Sequence, residues 1–243
     1  MIYLLLPAFN EADGIEILIK NIFKQLHNQQ HSIIIVNDGS CDNTLNILEK
    51  LQSDIKLEIL NHEQNLGLGR AILTGINHIS ATINENDILI TMDADNTHPV
   101  ELMQKLSENI NNGNDIAIAS RYASGGREIG LKKHRKILSS GAGIILKLFF
   151  PIKNVSDYTS GYRAYSGRII KKALNTYGQN LITAPGFTCM AEILIKLSRI
   201  GASITETGLE LRYDLKKGKS KIKILKTILS YFRLILRLKF EKI

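Results

Sequence analysis

Ile88-Leu-Ile-Thr-Met-Asp93-Ala-Asp95-Asn-Thr-His-Pro99 joins a continuous apolar run to two carboxylates one residue apart. Such a run is the mark of a strand buried on both faces. Side chains alternate along a strand, so Asp93 and Asp95 project to the same side where the strand leaves its sheet. In open α/β sheets that is the edge where ligands bind. Two acids this close repel unless a cation lies between them, and hard oxygen ligands suit Mg²⁺ or Mn²⁺. A second reading of the same residues is a polar turn in which Asp95 or Asn96 caps the following helix. His98, just before Pro99, reads as a turn residue rather than a metal ligand.

Outward from this stretch, strand and helix alternate. Met1 to Phe9, Ser32–Val36, Lys56–Leu60 and Ile116–Ser120 read as further strands, rich in β-branched and aliphatic residues. Helical spacing of apolar residues predicts helices over Ile15–Leu26, Leu45–Leu51, a segment ending at Ile79, and Glu101–Asn111. The alternation predicts an α/β domain over 1–211, with a mostly parallel sheet flanked by helices on both faces. No Gly-x-Gly-x-x-Gly follows the first strand, so the glycines of Asn65-Leu-Gly67-Leu-Gly69-Arg70 do not form a dinucleotide fingerprint. They suit close packing of a loop and helix beneath a ligand. Asp38, ending its strand, can accept hydrogen bonds from a base or ribose or serve the local turn with Gly39, Ser40, Asp42 and Thr44.

Charge separates the last thirty-two residues from the rest. From Arg212 onward, eleven Lys and Arg stand against Asp214 and Glu241, a net of +9 in a chain whose total is +8. Residues 1–211 are therefore near neutral. Apolar content of 44% is ordinary, and Cys41 and Cys189 are not spaced as metal ligands and suit a reducing cytosol. The first strand is followed at once by Asn10-Glu-Ala-Asp13, unlike a signal peptide. No apolar run approaches the roughly 18 residues that a spanning helix needs.

Four ordered motifs carry a family resemblance: Pro7-Ala-Phe-Asn-Glu11, Val36-Asn-Asp38-Gly-Ser-Cys-Asp42-Asn-Thr44, Asn65-Leu-Gly-Leu-Gly69 and Met92-Asp93-Ala-Asp95. Together they resemble inverting glycosyltransferases of family 2, with the GT-A fold, a nucleotide-sugar donor and a divalent metal. Ser120-Arg121-Tyr122, Arg135–Ala142, Asp157–Tyr165 and Gly218-Lys-Ser-Lys221 are similar to the dolichol-phosphate mannosyltransferases and bacterial polyprenyl-phosphate relatives within that family. Three positions depart from the pattern. Asn37 stands where the family commonly has the first of two acids, Thr97 where it has a glutamine, and Leu215 where it often has an arginine.

The resemblance implies roles. Asp38, Glu11 and the backbone near Pro7, Phe9 and Val36 would hold the nucleoside, and Asp93, Ala94 and Asp95 the donor diphosphate and sugar. Asp93, Asp95 and Thr97 would ligate Mg²⁺ or Mn²⁺. Asp93, Asp95, Arg121 and Arg135 would be the catalytic set, while Arg121, Arg135, Arg163, Arg212 and Lys221 would meet the acceptor phosphate. Glu192 has two readings, a base for a hydroxyl acceptor or a structural acid. The implied reaction is transfer from a nucleotide-sugar, GDP-mannose first, to a polyprenyl or dolichyl phosphate, with a small membrane subunit as an optional partner. Transfer to a hydroxyl of a glycan or glycolipid is the alternative enzyme, and a non-catalytic nucleotide-sugar-binding module at a membrane the alternative of another class.

The tail, 212–243, adds a membrane signal. At 100° per residue, Lys223, Lys226, Ser230, Arg233 and Arg237 form one stripe. Ile224, Leu225, Ile228, Leu229, Phe232, Ile235, Leu236 and Leu238 fill the remaining arc, with Lys239 the exception. A wide apolar face with a basic stripe is the pattern of an interfacial helix on anionic lipid; docking on the domain's own core is the other reading. Ile137–Phe150 is a second amphipathic candidate. The expectation is peripheral attachment to the cytoplasmic face without a spanning helix. Aromatics are only 6%, and the stripe lacks the stacking residues expected of a nucleic-acid surface.

Overall fold

A computed structural model describes residues 1–130, 133–215 and 224–241, and the side chains of all of these except 133–140 and 224–226. In chain order the first half runs β1 (Ile2–Ala8), α1 (Ile15–Leu26), β2 (His31–Asp38), α2 (Thr44–Leu51), β3 (Leu57–His62), α3 (Leu68–Ser80), β4 (Ile88–Thr91), α4 (Leu102–Asn111) and β5 (Ile116–Ser120). Then follow β6 (Arg127–Ile129), α5 (Lys133–Phe149), β7 (Arg163–Ser166), α6 (Gly167–Tyr177), α7 (Cys189–Arg199), β8 (Ile204–Gly208), β9 (Glu210–Arg212) and α8 (Ile224–Phe240). Seven strands form one sheet in the order β3-β2-β1-β4-β7-β5-β8, and β6 pairs with β9 beside it.

The alternation of β1 splits the core in two. Leu4 and Leu6 face a layer containing Ile15, Leu18, Ile19 and Ile22 of α1, Leu48 of α2 and Met103 and Leu106 of α4. Tyr3 and Leu5 face the opposite layer, built from α3, α6 and α7. The buried positions of α1 recur at three and four residues, which places one stripe against the sheet. Each buried aliphatic side chain contributes roughly 1.5–3 kcal/mol by leaving water.

The sheet is parallel except at β7, which lies antiparallel between β4 and β5, with Arg163 in register with both Thr91 and Ile118. This strand was not expected. Its four residues, Arg-Ala-Tyr-Ser, are too short to show a period, and all four are buried by their neighbours.

The expected helix at the C-terminus forms, but it does not stand apart. α8 packs against α5, and Leu234, Ile235 and Leu238 belong to the domain's own core. Its exposed side carries Ile228, Leu229, Phe232, Leu236 and Phe240. Arg237 departs from the expected lipid-facing stripe, because its guanidinium pairs with the buried Glu192 at 2.8 Å. Lys223 lies outside the described residues.

Candidate functional site

The carboxyl ends of β1, β2 and β4 converge on one edge. The loops after β1 and β2 are stitched together by four bonds: Asn10 N to Ser40 Oγ, Cys41 N to Asn10 Oδ1, Glu11 N to Thr44 Oγ1 and Ala12 N to Asp42 Oδ2. Asn10 takes a left-handed φ of 52° to make this turn, which a short polar side chain tolerates. Beside this turn lies a shallow cleft lined by Glu11, Gly14, Ile17, Asp95, Asn96 and Leu215. The fold thus brings Glu11 and Asp95 together from motifs far apart in sequence.

Pro7 and Phe9 are half-buried at this edge. Val36, of which the resemblance implies only a backbone contact, has its side chain fully buried in the core and lies in register with Pro7 and Leu60 inside the sheet. Asp38 is also turned to structural work. Its Oδ1 accepts from Leu66 N at 2.9 Å and its Oδ2 from Gly67 N at 2.8 Å, and His62 Nδ1 lies 2.7 Å from Oδ1. At 3% exposure it fixes the 65–67 loop from below instead of presenting itself to a base. The glycines of that loop are required by close packing. A Cβ on Gly67 would lie 2.4 Å from Pro185 O, and one on Gly69 1.9 Å from Ala184 O.

Asp93 and Asp95 are half-buried at the end of β4, while Ala94 between them is buried and can offer only its backbone. Thr97 holds the second carboxylate: its hydroxyl donates to Asp95 Oδ1 at 2.6 Å and its N–H to the same atom at 3.2 Å. With its side chain buried, Thr97 orients Asp95, a more specific role than the ligand expected of it. Gly161 opens the space in front of Asp93, where a Cβ would approach Oδ1 to 3.0 Å.

This donor set fits a small hard cation. Among the described residues no cluster of three or more His, Cys, Asp or Glu could hold a metal. Two carboxylates at a sheet edge instead match the sites where Mg²⁺ keeps open positions for substrate phosphates.

The expected phosphate-binding cations divide. Arg121, at the end of β5, donates from Nε and Nη2 to the two oxygens of Asp157, both at 2.7 Å, and from Nη2 to Thr159 Oγ1 at 2.6 Å. Glu128 Oε1 lies 3.3 Å from Nη1. Burial alone would lower the Arg121 pKa, but Asp157 outweighs it and holds the guanidinium firmly charged. Arg163 is misplaced by the expectation. It is fully buried, with Nη1 and Nη2 donating to the carbonyls of Met190 and Tyr158, so it braces the interior and does not reach an acceptor. Arg212 does reach the edge: its N–H donates to Thr97 O at 3.0 Å, and its guanidinium pairs with Asp214. Arg135 falls in α5 where side chains are not described, and Lys221 lies outside the described residues.

Glu192 is no general base. It has no exposure, and its carboxylate accepts from Thr183 N, Thr183 Oγ1, Ala184 N and Lys196 Nζ. The structural acid is one of the two readings of the sequence; its partners are not legible there, because they belong to a loop and two helices. Tyr231 of α8, a residue the sequence did not single out, lies within electrostatic reach of Cys189, Arg121, Asp157 and Arg163; burial above all raises its pKa.

The family model of glycosyl transferase family 2 matches residues 3–174. The chain belongs to that family. Among its relatives is a dolichol-phosphate mannosyltransferase of Pyrococcus furiosus, 33% identical over 96% of this chain and 62% of that protein. Another is the UDP-N-acetylglucosamine–dolichyl-phosphate N-acetylglucosaminyltransferase of Methanococcus voltae, 31% identical over 80% of this chain and 79% of that protein. The polyprenol monophosphomannose synthase of Mycolicibacterium smegmatis is 28% identical over 69% and 62%. The family 2 chain thus spans less than two thirds of the first and third of these relatives. In fold it is similar to the glucosyl-3-phosphoglycerate synthase of Mycobacterium tuberculosis, solved with Mn²⁺ and UDP, at 18% identity and a TM-score of 0.69 over 98% of this chain and 78% of that one. The expected GT-A architecture is borne out.

Proposed function

We propose that this family 2 chain transfers a sugar, with mannose from GDP-mannose as the first candidate, to a polyprenyl phosphate at a membrane surface. The observation that carries the reading is the pairing of Asp93 and Asp95 at the sheet edge beside the Glu11–Leu215 cleft. Asp93 and Asp95 would hold Mg²⁺ or Mn²⁺, with Thr97 keeping Asp95 in orientation. When bound, the cation supplies charge neutralisation on the diphosphate leaving group.

The chain's own residues position the reactants. A lipid monophosphate has a second pKa of roughly 6 by analogy with phosphorylated side chains, so at neutral pH it attacks largely as a dianion and needs no protein base. That agrees with Glu192 being committed to internal bonds, and it disfavours a hydroxyl acceptor. Arg121, oriented by Asp157, and Arg212 at the Thr97 loop are the described cations assigned to the acceptor phosphate. Holding two phosphates near in-line geometry is then the main catalytic contribution.

The apolar surface supports a lipid acceptor. Ile144, Leu148 and Phe149 of α5 and Leu229, Phe232, Leu236 and Phe240 of α8 are exposed on two helices that pack together. A patch of this kind on a basic tail suits insertion into an anionic bilayer face, with roughly 1 kcal/mol added per nearby Lys or Arg. Among the described residues no helix is long and apolar enough to cross a membrane. The test is a donor screen with radiolabelled GDP-mannose, UDP-glucose and UDP-GlcNAc against polyprenyl phosphate in vesicles. A product cleaved by mild acid is the expected sugar phosphodiester; a mild-acid-stable product or no turnover overturns the reading.

A further inference from the structure

Glu192 sits where three parts of the molecule meet. On one side its Oε2 accepts from Thr183 N at 3.0 Å and Ala184 N at 2.8 Å. On the other its Oε1 pairs with Arg237 of α8 at 2.8 Å and with Lys196 at 2.9 Å. Lys196, itself without exposure, also reaches Glu241 just beyond α8 at 3.2 Å. Arg199 of α7 completes the seating by pairing with Glu241 and donating to Leu238 O.

The loop that Glu192 holds continues toward the donor side. Pro185 O accepts from Gly69 N at 2.9 Å, and Ala184 O and Pro185 O are the atoms that leave no room for a Cβ on Gly69 and Gly67. Gly67 N in turn donates to Asp38 Oδ2. An unbroken set of short contacts therefore runs from Arg237 on the lipid-facing helix, through Glu192, Ala184–Pro185 and Gly67–Gly69, to the end of β2. An unpaired buried charge is costly in a dry interior, so a change in the seating of Arg237 bears on how Glu192 holds the 183–185 loop.

We infer that Glu192 is a positioning residue that couples the seating of α8 to the 65–69 loop beside the proposed donor site, so that binding of a lipid surface and binding of a nucleoside diphosphate are linked. This rests on the proposed donor and membrane reading, and the coupling is the added claim. By reciprocity, each ligand changes the affinity for the other by the same factor.

The experiment uses the full chain and measures the Kd for GDP, and in parallel for UDP, with Mg²⁺ present. Each is measured without vesicles and with saturating vesicles of equal parts phosphatidylglycerol and phosphatidylcholine. Wild type is expected to change its nucleotide Kd about fivefold or more on vesicles, the lower end of common coupling factors. Arg237→Gln is expected to bind both ligands and lose that change, because Arg237 is partly exposed and Glu192 keeps Lys196 as a partner. Arg237→Lys is expected to restore part of it. A purely structural role for Glu192 would move stability without a vesicle-dependent Kd. Wild type that binds nucleotide and vesicles independently, or Arg237→Gln with the wild-type change, overturns the coupling alone. Failure of both nucleotides to bind, or of the vesicles to bind, overturns the proposed function and the coupling together.

Discussion

Asp157 grips Arg121 with both carboxylate oxygens, Nε to Oδ2 and Nη2 to Oδ1, each at 2.7 Å. The same carboxylate accepts from the N–H groups of Arg121, Thr159 and Ser160. One acid therefore ties the end of β5 to the turn that precedes β7. Bidentate, charge-assisted geometry fixes the guanidinium plane as a single hydrogen bond would not. Any phosphate at this edge meets an Arg121 that is already oriented.

Removing Asp157 should therefore be severe. Asp157→Ala leaves a guanidinium that is 10% exposed without its main partner, and breaking such a pair costs about 3–5 kcal/mol. Chemical denaturation should show that loss, and Arg121→Ala should show a similar one. The double variant should lose less than the sum of the two, because the second removal relieves the charge left by the first.

The pair also sets a pH dependence. Burial would raise the Asp157 pKa, but the Arg121 hydrogen bonds and charge outweigh it and hold the carboxyl below its ordinary range. Its folded pKa is thus lower than the unfolded value of about 3.9. The stabilisation is present above that unfolded value and is lost as pH falls through the folded pKa. Asp115, with burial likewise opposed by bonds from Ser203 and Arg168, adds to the same window. Unfolding midpoints measured from pH 6 downward should fall more steeply in wild type below about pH 4 than in Asp157→Asn.

At the carboxylate pair, Asp95→Asn should reduce turnover about a hundredfold or more, the scale of losing one preorganised electrostatic partner. Folding should be retained, since Asp95 lies at the half-buried edge. Thr97→Val removes the 2.6 Å bond that orients Asp95 and should give a smaller loss. Chelator should abolish wild-type turnover, with Mg²⁺ or Mn²⁺ restoring it; full turnover in excess chelator would remove the metal from this site.

The readability of this molecule in its sequence follows interaction range. The strands β1, β2, β4 and β5 announce themselves as apolar runs of four or more buried residues, and the helix α1 by the coincidence of period and burial at Ile15, Leu18, Ile19, Ile22 and Leu26. The Asp93–Asp95 pair is legible because it follows directly on a buried strand, although that strand ends at Thr91 and the two acids lie just beyond it. By contrast, the turning of Asp38 toward Leu66 and Gly67 depends on a loop nearly thirty residues away. Arg163 reads as an acceptor contact until β7 is seen to place it between β4 and β5. Arg237 belongs to a basic stripe by period, yet the buried Glu192 draws it inward, and no local pattern records that partner.

Asp38 supplies a further test. Asp38→Asn keeps one acceptor oxygen but sets an amide N–H₂ against the N–H of either Leu66 or Gly67. A buried donor left unsatisfied costs about 1–3 kcal/mol. Stability should fall by that amount, and nucleotide affinity should fall with it if the 65–67 loop shapes the donor site. Calorimetry with GDP beside a denaturant titration reads both quantities.

The exposed helical face gives the last prediction. Leu148, Phe232 and Leu236 are 77%, 55% and 60% exposed, so replacing all three by Glu creates no cavity. Surface changes of this kind alter stability by about 0.5 kcal/mol or less each. Their effect on lipid should be large, because each loses apolar insertion and adds a charge repelled by an anionic surface. Vesicle flotation should show wild type bound, partly released by high salt and fully by detergent, with the triple variant unbound. The variant should still turn over a short, water-soluble polyprenyl phosphate, since Asp93, Asp95 and Arg121 lie outside the altered face. Equal flotation of the two proteins would show that the α5–α8 surface does not meet the membrane.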